Sequence, residues 1–124
     1  MKNLLLTLLL FICSNAFAQQ ASLEIRNNSE RTLFVKIMHR DGGLYSKMTI
    51  PPYSSDVEYF ANTGYYYLKT KASKKGLRTV FKKGDAFRVY NGSDGYSVLT
   101  ITFSISGGVS SGGREISESE FNRD

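Results

Sequence analysis

The segment closest to a reaction centre is Gly108-Val109-Ser110-Ser111-Gly112, which satisfies the Gly-x-Ser-x-Gly form of a serine-hydrolase elbow just after an alternating apolar run. Such an elbow works where a sharp strand-to-helix turn lifts the serine above an α/β sheet and a histidine follows later in the chain. Here the single histidine, His39, lies upstream, and glycine and serine dominate residues 107–113, so a flexible linker is the favoured reading. His39 also stands two residues before Asp41, which leaves a His–Asp pair at a strand end open. A zinc ion takes three or four protein ligands, and one histidine without a neighbouring cysteine would have to borrow carboxylates. We expect no metal site, and we read His39 as an inert edge residue. Asn91-Gly92-Ser93-Asp94-Gly95 opens like a calcium loop, but its twelfth position is Thr102 where a bidentate glutamate belongs, and a hairpin turn explains it.

No glycine-rich phosphate loop or dinucleotide fingerprint occurs, so neither a cofactor nor a catalytic residue is expected. A hydrolase built on two carboxylates stays open as a third reading, because any two of the eleven acids can meet in space. Several of them sit in turns (Glu30, Asp41, Asp85, Asp94) or near the chain end (Glu115, Glu118, Glu120, Asp124).

A surface is the stronger candidate. If two alternating runs are strands, Phe34, Lys36, Met38 and Arg40 share one outward face, and Tyr65, Tyr67, Lys69 and Lys71 share another or the same one. Rings beside cations suit a ligand that combines flat apolar area with negative charge. An alternative is that these side chains pack against the margin of the second sheet or against the chain's tail. The densest basic stretch, Lys69, Lys71, Lys74, Lys75, Arg78, Lys82 and Lys83, follows three tyrosines and brings a nucleic-acid groove to mind, but Lys2, the apolar run after it and Ala16-Phe17-Ala18 read as a secretory leader, and export counts against that target.

The elements that must position this face read as short antiparallel strands. Apolar residues recur with a period of two, interrupted by Gly, Asn, Asp, Ser and Pro clusters. The expected strands are 22–26, 33–40, 44–50, 57–60, 65–72, 77–81, 86–90 and 96–106, with Pro51-Pro52 closing the third. Leu33, Val35 and Ile37 point inward, as do Leu99, Ile101, Phe103 and Ile105 in the last strand. Strands this short and numerous indicate an all-β domain, an antiparallel sandwich of seven or eight strands, immunoglobulin-like or jelly-roll-like, with a small closed barrel as competitor. Lysines on the would-be lipid faces argue against a membrane barrel.

The chain starts with Lys2, an apolar run from Leu4 to Ile12, and Ala16-Phe17-Ala18, the small-x-small pattern of a cleaved secretory signal. Nine uncharged residues are far fewer than the roughly 20 a spanning helix needs, and Ile12 is a poor neighbour for lipid attachment at Cys13. Cleavage near Gln19 leaves 106 of the 124 residues, one domain without an internal disulfide. With Lys2 removed, 15 basic residues against 11 acidic ones leave a net charge of +4, which favours anionic partners and also serves solubility. Residues 19–106 are expected to form the sandwich and 107–124 a linker with a charged flexible tail, which an exposed sheet edge could accept as an added strand.

The expected protein is thus a secreted or periplasmic, non-enzymatic binding or accessory module of the cell envelope, recognising a protein or an anionic glycan through its tyrosine–lysine face. The alternative is a secreted inhibitor that plugs a hydrolase with a loop, for which Ser73–Gly76 and Asn91–Gly95 are the candidates.

Overall fold

A computed structural model describes residues 20–106, 109–110 and 113–124. The leader, Cys13 and the expected cleavage point therefore lie outside the described residues. The elements in chain order are β1 (Ala21–Asn28), β2 (Thr32–His39), β3 (Leu44–Ile50), β4 (Ser55–Phe60), β5 (Gly64–Ser73), β6 (Val80–Lys83), β7 (Phe87–Val89), β8 (Asn91–Gly92), β9 (Gly95–Tyr96), β10 (Val98–Ser106), β11 (Val109–Ser110), β12 (Arg114–Glu115) and one short helix, α1 (Glu118–Asn122). No helix among the described residues is long and apolar enough to cross a membrane.

The strands form two open sheets and a separate two-stranded hairpin of β8 and β9. The first has the order β11-β10-β1-β4, and the second β12-β6-β5-β2-β3 with β7 also paired to β5. Neither of these two closes on itself, so the chain is all-β with open sheets, consistent with the expected sandwich and not with the barrel. Alternation explains the layering. Leu23 and Ile25 of β1, Phe60 of β4 and Phe103 of β10 meet Leu33, Val35 and Ile37 of β2, Ile50 of β3, and Tyr66, Leu68 and Ala72 of β5 in one buried cluster. Leu99, Ile101 and Ile105 pack against its margin, on the face expected for them. β3 ends at Ile50, where Pro51 can give no N–H to a further ladder bond.

Two features differ from the expected arrangement. β1 and β10 run parallel, from Ser22↔Val98 to Asn28↔Ser104, while the other paired strands are antiparallel. A period of two is common to both directions, so alternation carries no information on this point. Asn27 and Asn28, beyond the expected strand 22–26, continue β1, and Asn27 is buried at 1% exposure. Its amide Nδ2 donates to the carbonyls of Arg31, Ile50 and Pro51. The end of β1 in the first sheet is thereby tied to the end of β3 in the second.

The described residues beyond β10 lie against the sheets, one of them by the edge addition that the sequence left open. β11 folds back antiparallel on β10, β12 lies along β6 with Arg114 opposite Lys83, and α1 sits over the outer face of the second sheet. The Ser117-x-x-Glu120 spacing accounts for the helix start, since Ser117 Oγ accepts from the Glu120 N–H at 3.1 Å.

Candidate functional site

β2 and β5 are neighbours in the second sheet, so the two alternating sets share one outer face. Register then places like charges opposite one another. Lys36 on β2 faces Lys47 on β3 and Lys69 on β5, Lys69 faces Lys83 on β6, and Lys83 faces Arg114 on β12. Five cations thus cross five adjacent strands in one row, at strand spacings of about 4.8 Å and over roughly 19 Å. Opposed like charges destabilise a sheet unless something negative compensates them.

Rings flank this row. On one side Phe34 lies opposite Lys71, which lies opposite Phe81; on the other Met38 lies opposite Tyr67 and Tyr65 opposite Arg88. Among the described residues five cations stand over aromatic faces: Arg40 over Tyr65 at 4.2 Å, Lys83 over Tyr67 at 4.7 Å, Lys36 over Phe121 at 5.0 Å, Lys71 over Phe34 at 5.3 Å and Arg88 over Tyr90 at 5.3 Å. Each such contact orients a cation while leaving its charge uncancelled.

The middle of the row is compensated by α1. Lys69 Nζ donates to the carbonyls of Glu120 at 2.7 Å and Arg123 at 2.5 Å, and Lys36 Nζ donates to the Phe121 carbonyl at 2.9 Å and to Asp124 Oδ1 at 2.6 Å. The last carbonyls of a helix carry the negative end of its dipole; Lys69 joins the Arg123 N–H at the Glu120 carbonyl and Lys36 takes that of Phe121, where no basic residue occupies the helix's last turn. Phe121 anchors the helix, 6% exposed, with its ring 5.6 Å from that of Phe81. At the row's end Arg114 pairs with Glu120 at 3.5 Å.

The eight expected face residues therefore divide. Arg40 and Tyr65 are exposed, and Phe34, Lys36, Tyr67 and Lys71 are half-buried. Lys69 is not solvent-facing but 4% exposed, because α1 covers it. Met38 is 1% exposed at a shift of register between Ile37 and Met38, with Leu44 and Tyr67 across from it. A groove of about 170 Å³ runs beside the helix, lined by Phe34, Lys36, Lys47, Thr49, Lys71 and Phe121. Sequence reasoning missed Lys47, Lys83 and Arg114 as members of the row, and Phe121 and Asp124 as its cover. The Ser117-x-x-Glu120 spacing was the available signal for the helix.

Burial, then the neighbouring charges of Lys36 and Arg123, pull the Lys69 ammonium below the usual lysine range. The hydrogen bond from Lys36 holds the Asp124 carboxyl below its ordinary 3.8. A depressed carboxyl contributes stability that is complete above 3.8 and vanishes as the pH falls through the lowered value. Acidification should accordingly loosen α1 before the body unfolds. Amide protection factors for residues 118–123 should drop as the pH falls below 3.8 through the lowered carboxyl value, while those of β2 and β5 persist. Equal losses in helix and strands would contradict this.

The other candidates resolve locally. The His39 ring lies 5.5 Å from that of Tyr45 and 5.3 Å from that of Tyr66, and Asp41 pairs with Arg40 at 3.7 Å. No group of three or more His, Cys, Asp or Glu suited to a metal occurs among the described residues. Asn91–Gly95 is the β8–β9 hairpin, pinned by the Tyr90 hydroxyl donating to Asp94. Ser110 belongs to β11, paired back on β10, rather than to a strand-to-helix turn; Gly108, Ser111 and Gly112 lie outside the described residues. Among the described cavities, Asp85 is the one acid lining the pocket between the sheets and Glu30 the one lining a pocket near Tyr53. The basic stretch also divides: Lys69, Lys71 and Lys83 join the outer face, Lys82 turns to the inter-sheet pocket, and Lys74 and Arg78 pair with Glu30 and Glu115. No family model, no curated protein and no solved structure matches this chain.

Proposed function

We propose that the chain is an exported binding module of the cell envelope, without catalytic chemistry of its own, whose second sheet takes an anionic glycan on its outer face. The observation that supports this reading is the row Lys47, Lys36, Lys69, Lys83 and Arg114, flanked by the rings of Phe34, Phe81, Tyr65 and Tyr67. A linear polymer carries charge at regular intervals, as the row does, and sugar rings present flat C–H faces that aromatic side chains cover. Glycan acids or sulfates would accept hydrogen bonds from ammonium groups, and the arginines at the margins offer paired donors.

Isothermal titration of the mature chain with heparin as the anionic probe tests this. Binding should weaken steeply as salt rises, because each neutralised charge releases a counterion. The triple variant Arg40→Glu, Lys71→Glu, Lys83→Glu alters exposed or half-buried positions. It should lose at least about tenfold in affinity with its thermal midpoint nearly unchanged. Absence of heparin binding at low salt, or equal affinity of the variant, would defeat the proposal.

A further inference from the structure

We infer that the paired ammonium groups of Lys36 and Lys69 are the strongest anion subsite of this face, and that α1 is a built-in occupant which an anionic ligand displaces. This rests on the proposed glycan-binding reading. Cross-strand register makes Lys36 and Lys69 direct neighbours at the centre of the row, flanked by Lys47 on one side and Lys83 on the other. Both are enclosed, with Lys69 at 4% exposure and the Lys36 side chain at 13%. Charges in such surroundings interact more strongly with a counter-charge than charges in open water do.

What fills this subsite is a weak substitute for an anion. Lys69 receives two backbone carbonyls, and Lys36 receives one carbonyl and the Asp124 carboxylate, so one buried and one half-buried cation meet a single formal negative charge in direct contact. Arg123 brings a further positive charge close enough to depress Lys69, which the Glu120 carboxylate only partly offsets. A sulfate or carboxylate on each ammonium would compensate the pair more fully than carbonyl dipoles do.

The cover itself is lightly held. α1 spans five residues, far below the length at which a helix persists unaided. Phe121 is the one buried residue of the helix, and β12 adds two residues of pairing to β6. Opening exposes one ring and releases a few polar contacts, whereas it presents the whole row to a polymer. The closed state lowers apparent affinity by the fraction of molecules that are open.

A heparin-derived octasaccharide as probe and the full mature chain suffice for the test. Amide exchange of residues 117–123 should accelerate on saturation. Phe121→Ser, which removes the anchor, should bind about tenfold more tightly than the parent. Asp124→Asn alters an exposed carboxylate and should tighten binding about threefold, keeping the test valid if the serine variant folds poorly. Binding with residues 117–123 still protected and equal affinity in both variants would overturn the displaceable cover while leaving the glycan face intact. Failure of parent and variants alike to bind would remove both ideas.

Discussion

Alanine in place of Phe60 should lower the unfolding free energy by about 4 kcal/mol, the largest single-residue loss expected in this domain. Phe60 is fully buried on β4 and reaches from the first sheet into rings supplied by the second. Its centroid lies 5.0 Å from that of Tyr45 on β3, stacked, and 4.8 Å from that of Tyr66 on β5. Tyr45 and Tyr66 touch each other at 5.1 Å, so removing the central ring leaves a void whose walls are stiff aromatics on two different strands. Such a site collapses poorly, and the loss of ring–ring contact adds to that of buried area. Against a total stability of roughly 5–15 kcal/mol this is a large fraction. Urea denaturation reads it as a lower midpoint at constant slope. A loss below about 1 kcal/mol would show that the neighbouring rings refill the space.

Asn27→Ala should cost about 3 kcal/mol, although it removes only a small polar side chain. The amide Nδ2 donates to Arg31 O at 2.7 Å, Pro51 O at 3.1 Å and Ile50 O at 3.2 Å, and Oδ1 accepts from Ser29 Oγ at 2.7 Å. Alanine would strip these carbonyls of a buried donor at the point where β1 is joined to the end of β3. Loss of one partner from a buried network costs more than the average hydrogen bond, because the remaining groups keep their desolvation penalty. Ser29→Ala serves as the control. Its hydroxyl supports Asn27 and accepts from the Arg31 N–H at 3.2 Å, so it should cost about 1 kcal/mol. Equal effects of the two substitutions would mean that the amide is not the hub of this contact.

Much of the layering was legible from residue order, for a local reason. Leu33, Val35 and Ile37 lie inside, and Tyr66, Leu68, Thr70 and Ala72 form the buried side of β5. Which face of a strand turns inward follows from alternation alone, and Pro51 marks a stop by lacking a donor. The candidate site was legible in half. Phe34, Lys36, Tyr65, Tyr67 and Lys71 do share one face, because parity within each strand is again local. That Lys69 is covered, that Met38 is enclosed, and that Lys47, Lys83 and Arg114 extend the row depend on cross-strand register and on where the chain end docks.

By itself, then, the sequence determined an all-β chain whose strands each have an inner and an outer side, with rings and lysines placed outward on two of them. Tertiary structure alone decided that those two strands are adjacent, that β1 and β10 run parallel, that Asn27 joins the sheets, and that α1 closes over Lys36 and Lys69. The division has one physical cause. A side chain's direction is set by the φ and ψ angles of its own strand, whereas strand partner, register and docked tail are set by competition among distant segments for the same buried area and hydrogen-bond donors.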